Sequence, residues 1–139
     1  IAKQIERSGG DAVDISSYTQ AVSWSYRGLA IPVGGLTGWE DPPFTNVEFA
    51  KNIKDQIEIP VIVADKIYEP ASSREVIRQD KADIIALGRQ MLADPNWPNK
   101  VKNQQVNKIN MCIHCNVCHK YQQRGEGVRC AINDQWENL

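Results

Sequence analysis

The sequence has no long apolar run, since the longest comparable stretch, residues 59–64, has only the length of a β-strand. A membrane-spanning helix needs about twenty apolar residues, so none is predicted. An excess of basic charge is also missing: 16 Lys and Arg residues face 17 Asp and Glu residues, and the formal net charge is −1. Nucleic-acid binding normally needs a basic excess, so we expect neither nucleic acid nor a membrane as a partner.

No basic segment followed by an apolar one opens the sequence, so a secretion signal is not predicted. Cysteines grouped without such a signal indicate a reducing compartment, and we expect a cytoplasmic protein. The sequence starts at Ile1, inside an amphipathic helix pattern and without Met, so we expect it to be cut from something longer. Its 139 residues suit one modest domain.

The sequence has only four cysteines, and they fall within nineteen residues near its end: Cys112, Cys115, Cys118 and Cys130. Three stand at steps of three residues, and the fourth follows after eleven intervening residues. A close triple with a distant fourth cysteine is typical of an iron–sulfur cluster site. A tetrahedral zinc site is the rival, although zinc sites usually have two separated Cys-x-x-Cys pairs. Disulfides are the third alternative, but a Cys-x-x-Cys-x-x-Cys run is awkward to pair.

Apolar, β-branched runs alternate with amphipathic helix patterns along the chain. Strands are predicted at residues 12–16, 59–64 and 83–87, with helices before Gly9 and at residues 45–57, 70–79, 89–93 and 95–106. This alternation predicts right-handed crossovers and a parallel sheet. Three strands cannot close a barrel, and a complete eight-stranded barrel takes about 250 residues. We therefore expect an α/β fold: about three C-terminal βα units of a (β/α)8 barrel at residues 1–107, followed by a cluster-binding segment at residues 108–139.

Two local predictions concern residues 17–43 and the start of the helix that follows them. Residues 17–43 are rich in Gly, Pro, Ser and Trp and are predicted to form one long connection, which in a compact unit is usually functional. After it, Thr45 is a candidate N-cap, and Glu48 three residues later predicts a capping box at the start of the next helix.

The ends of the last two predicted strands suggest a phosphate site. In βα barrels the loops after the last two strands commonly hold a phosphate. The first of these loops begins at residue 64, and the second contains Gly88 and Arg89. Gly88 permits close approach to the backbone, and Arg89 offers a bidentate cation. An ordinary turn with a surface arginine remains the alternative.

Three segments together resemble a known family. They are residues 61–70 (VIVADKIYEP), residues 82–95 (ADIIALGRQMLADP) and residues 112–118 (CIHCNVC). In combination they resemble the old yellow enzyme family of NADH:flavin oxidoreductases, and specifically its iron–sulfur branch, which includes 2,4-dienoyl-CoA reductase and trimethylamine dehydrogenase. The resemblance extends over about residues 12–133.

The resemblance implies a barrel that binds FMN, with a [4Fe-4S] cluster close to the flavin. The implied contacts to the FMN phosphate are Asp65, Lys66, Ile67, Gly88 and Arg89. The implied ligands of the cluster are Cys112, Cys115, Cys118 and Cys130. Electrons would pass from NAD(P)H, bound with FAD in a separate domain, through the cluster to FMN. The implied substrate is a small molecule with an activated C=C bond, such as an enoyl-CoA; amine oxidation is the alternative within the family.

The sequence departs from the family pattern at three places. Asp65 puts an acidic residue beside the implied phosphate, the first three cysteines are spaced as in the trimethylamine dehydrogenase type, and the residues after Asn133 lack the usual Pro and Gly-x-Glu. The family's proton donor lies mostly on earlier strands, so Tyr18 is only a weak candidate, with a packing tyrosine as the alternative. We expect the fragment to be inactive alone and to need a missing or separate N-terminal half-barrel and an FAD/NAD(P)H domain.

Overall fold

The computed structural model describes residues 1–16, 43–64 and 66–134 in full, and residues 21–26 and 29–34 as paired backbone. The strands in these residues are β1 (Val13–Ile15), β2 (Ala21–Tyr26), β3 (Leu29–Gly34), β4 (Val61–Val63) and β5 (Ile84–Ile85). The helices are α1 (Ala2–Arg7), α2 (Thr45–Lys54), α3 (Pro70–Arg78), α4 (Arg89–Ala93), α5 (Trp97–Lys102) and α6 (Val117–Gln123), and a 3-10 turn spans Val106–Lys108.

Strands β1, β4 and β5 form a parallel sheet in the order β1-β4-β5. Val13 is paired with Val61, and Ile62 with Ile84. Helix α2 lies between β1 and β4 in the chain, and helix α3 lies between β4 and β5. The predicted α/β fold with a parallel sheet is confirmed.

The core is built between β4 and the helices that precede and follow it. Val61 and Val63 are fully buried, which confirms the prediction of a strand covered on both faces. Val47 and Ala50 of α2 and Val76 of α3 belong to the same cluster. Each fully buried valine contributes about 1.5–3 kcal/mol relative to an exposed one, so this cluster is the main support of the unit.

Strand β5 differs from its prediction. A buried strand was expected at residues 83–87, but the strand covers Ile84–Ile85, and Ile84 is 48% exposed. In the described part of the chain β5 is paired with β4 alone. The apolar run gave the strand correctly, but burial of an edge strand depends on what lies on its other side.

The long connection predicted at residues 17–43 was wrong in its middle part. Strands β2 and β3 form an antiparallel hairpin there, with Ala21 paired with Gly34 and Tyr26 with Leu29. Only residues 27 and 28 separate the two strands. Serines alternate with apolar residues in β2, and this period of two predicts a strand, so the pattern was present and was overlooked.

The start of α2 also corrects a prediction. Thr45 is the first helical residue rather than the N-cap, which is Phe44 with a left-handed φ of 67°, and no side-chain hydrogen bond caps the helix. Glu48 does not close a capping box; its Oε1 lies 2.6 Å from Lys81 Nζ. Phe44 packs against the core, so apolar contact holds the turn where a polar cap was expected.

Helix α3 follows its prediction, because Pro70 stands in its first turn after Glu69 and the helix ends at Arg78. Proline suits this position, since the first N–H groups of a helix have no partner within it. Helix α6, inside the cysteine segment, was not predicted. No helix in the described residues is long and apolar enough to cross a membrane.

Candidate functional site

All four cysteines line one pocket. Arg89 and Leu92 of α4 also line this pocket. None of the four cysteines, all of which are described, forms a disulfide. The structure therefore brings the sequence-predicted metal ligands together and places one of the predicted phosphate residues, Arg89, beside them.

Two left-handed residues shape the chain around Cys115. His114 has a φ of 54° and Asn116 a φ of 56°. Positive φ is uncommon outside glycine, although Asn and His adopt it more often than most residues. The N–H of His114 donates a hydrogen bond to Cys112 Sγ at 3.4 Å, and α6 then begins so that Cys118 stands in its first turn. These turns bring the first three cysteines to the same pocket.

The buried amide of Gln90 holds the start of the cysteine segment. Its Nε2 donates to Asn110 O at 2.8 Å, and its Oε1 accepts the N–H of Cys112 at 2.9 Å. Gln90 is only 3% exposed. Sequence reasoning missed this residue; the one available signal was a polar side chain three positions before Ala93, on the buried face of α4.

Helix α4 contacts two further parts of the cysteine segment. Arg89 Nη1 donates to Asn116 Oδ1 at 2.6 Å. Leu92 O accepts a hydrogen bond from Asn133 Nδ2 at 2.8 Å, and Asn133 forms an isolated β-bridge with Cys130. A helix of five residues thus supports the chain before the first, after the second and after the fourth cysteine.

The loop after β4 is fixed by two hydrogen bonds from the helices. Ser73 Oγ donates to Ile67 O at 2.7 Å, and Trp97 Nε1 donates to Tyr68 O at 2.8 Å. The side chain of Ile67 is buried in the core, 1% exposed, so only its backbone could contact a ligand. Lys66 has a left-handed φ of 40°. Asp65, the acidic member of the predicted phosphate site, lies outside the described residues.

His114 lies between the two strand-end loops and the cysteines. Its ring centroid is 4.7 Å from that of Tyr68. Burial, together with the positive charges of Arg89 and Lys66, lowers the pKa of His114 to about 4. Both ring nitrogens are buried and have no hydrogen-bond partner in the part of the chain that the structure describes. Lys66 and Arg89, predicted from separate loops, are thus close enough to act on the same imidazole.

Gly88, in the loop after β5, faces open space among the described residues. A Cβ atom added to it would meet no other atom within 4 Å, and its φ is negative, −88°. Neither packing nor a left-handed backbone therefore explains the glycine within the described residues. The space beside this backbone is compatible with the close approach of a ligand that the predicted phosphate site requires.

The sequence profile of the NADH:flavin oxidoreductase / NADH oxidase family matches residues 26–108, more than half of the chain. The chain belongs to this family. An NADH oxidase from Thermoanaerobacter brockii is 35% identical over 84% of this chain and 17% of its own length. A cinnamate reductase from Clostridium sporogenes is 29% identical over 94% of this chain and 21% of its own length.

A solved structure, that of a histamine dehydrogenase from Rhizobium sp. 4-9, superposes with a TM-score of 0.66 at 25% identity. The superposition covers 69% of this chain and 14% of the dehydrogenase. The chain spans about a fifth of the length of the two curated relatives described above. Membership of the old yellow enzyme-like family and the fold of a partial barrel, both expected from the sequence, are confirmed.

The cysteine pocket fits the cluster that some members of this flavin family carry. Burial raises the pKa of the Cys112 thiol, while the His114 N–H and the Arg89 guanidinium act in the opposite direction. In the described residues no three Cys, His, Asp or Glu side chains are arranged to hold a single metal ion. Four thiols that surround a pocket fit the donor set of a [4Fe-4S] cluster, whose ligands bind separate iron atoms.

The proton donor, the FMN contacts and the cluster ligands of the family's site all stay predictions. Tyr18, the weak candidate named from the sequence, lies outside the described residues. The contacts that support the site were also beyond the sequence prediction, because Gln90 and Asn133 act through the backbone of residues 20 to 41 positions away.

Proposed function

We propose that this chain forms the flavin-phosphate and cluster-bearing end of an FMN- and [4Fe-4S]-dependent oxidoreductase. One observation carries the proposal: all four cysteines line the same pocket as Arg89, the residue that follows the Gly88 turn after β5. In this arrangement residues 1–107 form the flavin-phosphate end of the barrel, and residues 108–139 bind the cluster.

The residues have separate tasks. Cys112, Cys115, Cys118 and Cys130 hold the cluster as thiolates. The phosphate of FMN would be bound by the backbone of Asp65, Lys66 and Ile67 in the first loop and by Gly88 and Arg89 in the second. FMN and the cluster would supply the electron-transfer chemistry, whereas the protein supplies position and electrostatics. The positive charges of Lys66 and Arg89 favour a bound dianion.

The overall reaction we propose is reduction of an activated C=C bond, such as that of an enoyl-CoA. NAD(P)H would supply two electrons, FAD, the cluster and FMN would provide the electron-transfer chemistry, and the C=C bond would gain two electrons and two protons. The similarity to a cinnamate reductase supports this substrate class. The FAD/NAD(P)H domain and the preceding βα units would belong to other parts of the same protein or to a separate chain, because the relatives are about five times longer.

Amine oxidation is the second candidate, and the structural similarity to a histamine dehydrogenase favours it. In the first function electrons would pass from the flavin to the substrate, and in the second they would pass from the substrate to the flavin. In the protein assembled with its FAD/NAD(P)H domain and under anaerobic conditions, oxidation of NADH that depends on cinnamate or an enoyl-CoA would support reduction. Reduction of the bound flavin by an amine, with no response to NADH, would replace our proposal with the dehydrogenase.

Metal analysis of anaerobically purified protein tests the cofactors. We expect about four irons and four acid-labile sulfides per chain, with a broad visible absorption from the cluster. Cys115→Ser should lose most of the iron, whereas His119→Ala, a change beside the same cysteines, should keep it. One zinc without sulfide would remove the electron-transfer role and leave a structural cysteine module.

A further inference from the structure

Helix α4 has an unusual share of the contacts to the cysteine segment. It has five residues, yet the Arg89 and Gln90 side chains donate, and the Leu92 carbonyl accepts, hydrogen bonds that join it to three separate parts of that segment. Gln90 bonds the backbone of a cysteine directly, through the N–H of Cys112. Gln90 is not one of the predicted cofactor ligands, so its burial needs another explanation.

We propose that Gln90 is a positioning residue that fixes Cys112 in the cysteine pocket. The inference rests on the proposed function for its purpose, since a fixed Cys112 serves cluster binding. The hydrogen bonds themselves are independent of any cofactor. Gln90 does not touch the pocket and acts through the backbone on both sides of Met111.

The chemistry of the amide explains why glutamine is required. Gln90 donates to Asn110 O and accepts from Cys112 N, so one side chain satisfies a carbonyl and an N–H two residues apart. A glutamate in its place would accept from Cys112 but would turn a second oxygen toward the Asn110 carbonyl. Methionine has a similar shape and could make neither bond. Loss of both bonds would free Asn110 O and Cys112 N from Gln90. The N–H of Asn110 would still be held by Asp94.

Small displacements of Cys112 matter because this residue lines the cysteine pocket. Cluster ligands must lie within bonding distance of their iron atoms, and ligand geometry depends on the hydrogen bonds behind each ligand. Gln90 bonds both Asn110 and Cys112, the two residues that flank Met111. Its release should therefore affect cluster retention more than it affects folding.

The test compares Gln90→Met with Gln122→Met, the same change at an exposed position in the cysteine segment. In anaerobically purified holoprotein, we expect Gln90→Met to lose iron to a chelator at least tenfold faster than the natural protein, and Gln122→Met to match the natural protein. The electron paramagnetic resonance spectrum of the reduced cluster should broaden or shift only in Gln90→Met. Equal rates of iron loss in both variants would overturn the proposal.

A second measurement does not depend on the cluster. In the apoprotein, alkylation followed by mass spectrometry should show Cys112 reacting several-fold faster in Gln90→Met, with the rate at Cys130 unchanged. Gln90→Glu, which keeps the acceptor for the Cys112 N–H but opposes the Asn110 carbonyl with an oxygen, should give an intermediate rate at Cys112. If Cys112 reacts equally in the natural protein and in Gln90→Met, the positioning role is wrong. A natural protein with no cluster but with the predicted alkylation pattern would refute the proposed function and leave the role of Gln90 standing.

Discussion

Lys54 Nζ lies 2.8 Å from Asp83 Oδ1, while Asp83 Oδ2 accepts the N–H of Val61 at 2.8 Å. One carboxylate therefore joins the last turn of α2 to the first residue of β4 and to the residue before β5. The hydrogen bond from Lys54 and the one from Val61 lower the pKa of Asp83. Hydrogen bonds to Asp80 and Asp83 raise the pKa of Lys54. The ion pair thus helps set the register of the sheet at the end opposite the predicted cofactor loops.

Asp83→Asn should lower the free energy of unfolding by about 1 kcal/mol, because the charge is lost while an oxygen remains for Val61. The effect is small because 37% of the Asp83 side chain is exposed. Asp80→Asn removes the other, more exposed partner of Lys54 and should change little. Urea unfolding of the three proteins measures the difference. An equal loss in both variants would mean that the position of the Asp83 charge contributes nothing special.

The ion pair of Lys54 and Asp83 predicts that its contribution to stability is lost at an acidic limit and at a basic limit. Asp83 has a lowered pKa, so its contribution is complete above its ordinary value of 3.8 and disappears as the pH falls through the lower folded value. Lys54 has a raised pKa, so its contribution is complete below 10.5 and disappears as the pH rises through the higher folded value. The stability difference between the natural protein and Asp83→Asn should therefore be constant from about pH 5 to 9. A difference that vanished near neutral pH would contradict this assignment.

Asp94 is the buried carboxylate that supports the approach to the cysteine segment. It is 3% exposed and accepts hydrogen bonds from Lys100 Nζ at 2.6 Å and from the N–H of Asn110 at 2.9 Å. Burial raises its pKa, but the bonds from Lys100, Asn110 and Asn96 together outweigh burial and leave the pKa below 3.8.

Asp94→Asn should lower the free energy of unfolding by about 2–3 kcal/mol at neutral pH, since the partly exposed Lys100 loses its buried partner. Because the folded pKa of Asp94 is lowered, this loss should shrink only below about pH 4, as the natural carboxylate itself becomes protonated. Thermal unfolding across pH measures it. Glu75→Gln, which removes an exposed ion pair with Arg78, is the matched control and should leave stability nearly unchanged. Similar losses in both variants would show that burial of Asp94 adds nothing.

The parts of the fold that follow from neighbouring residues could be predicted, whereas those that depend on distant contacts could not. The β-branched run around Val61 and the proline at the start of α3 gave the strand and the helix correctly, because both depend on local preferences. The exposure of Ile84 was missed because it depends on what lies beside β5. The support of the cysteines by Gln90 was missed for the same reason, since its partners stand 20 and 22 residues further along the chain.

The candidate site shows the same division. The spacing of the cysteines predicted four ligands together, and the structure brings Cys112 and Cys130 to one pocket although 17 residues separate them. The position of His114 against Tyr68 was not predicted, because a ring contact over 46 residues leaves no pattern in the sequence.

Gly88→Ala tests whether a ligand approaches the end of β5. The added methyl group would meet no atom within 4 Å, so we expect the unfolding midpoint to stay nearly unchanged. If the FMN phosphate lies against this backbone, the affinity for FMN should fall at least tenfold, which fluorescence titration of the apoprotein measures. Gly10→Ala is the contrasting control, since its Cβ would lie 2.5 Å from Ile5 Cγ2 and should lower stability without a specific effect on flavin. Unchanged FMN affinity in Gly88→Ala would remove Gly88 from the proposed phosphate site.

Ser73 and Ser72 provide a matched pair for the loop after β4. Ser73 Oγ donates to Ile67 O at 2.7 Å and is buried, whereas Ser72 Oγ donates to the exposed side chain of Glu69. Ser73→Ala leaves the Ile67 carbonyl without this donor and should lower the free energy of unfolding by about 1–2 kcal/mol. Because Ile67 is a proposed phosphate contact, the same variant should also bind FMN more weakly, while Ser72→Ala should match the natural protein in both measurements. A loss of stability in Ser73→Ala with full FMN affinity would mean that the loop backbone supports the core but does not bind the phosphate.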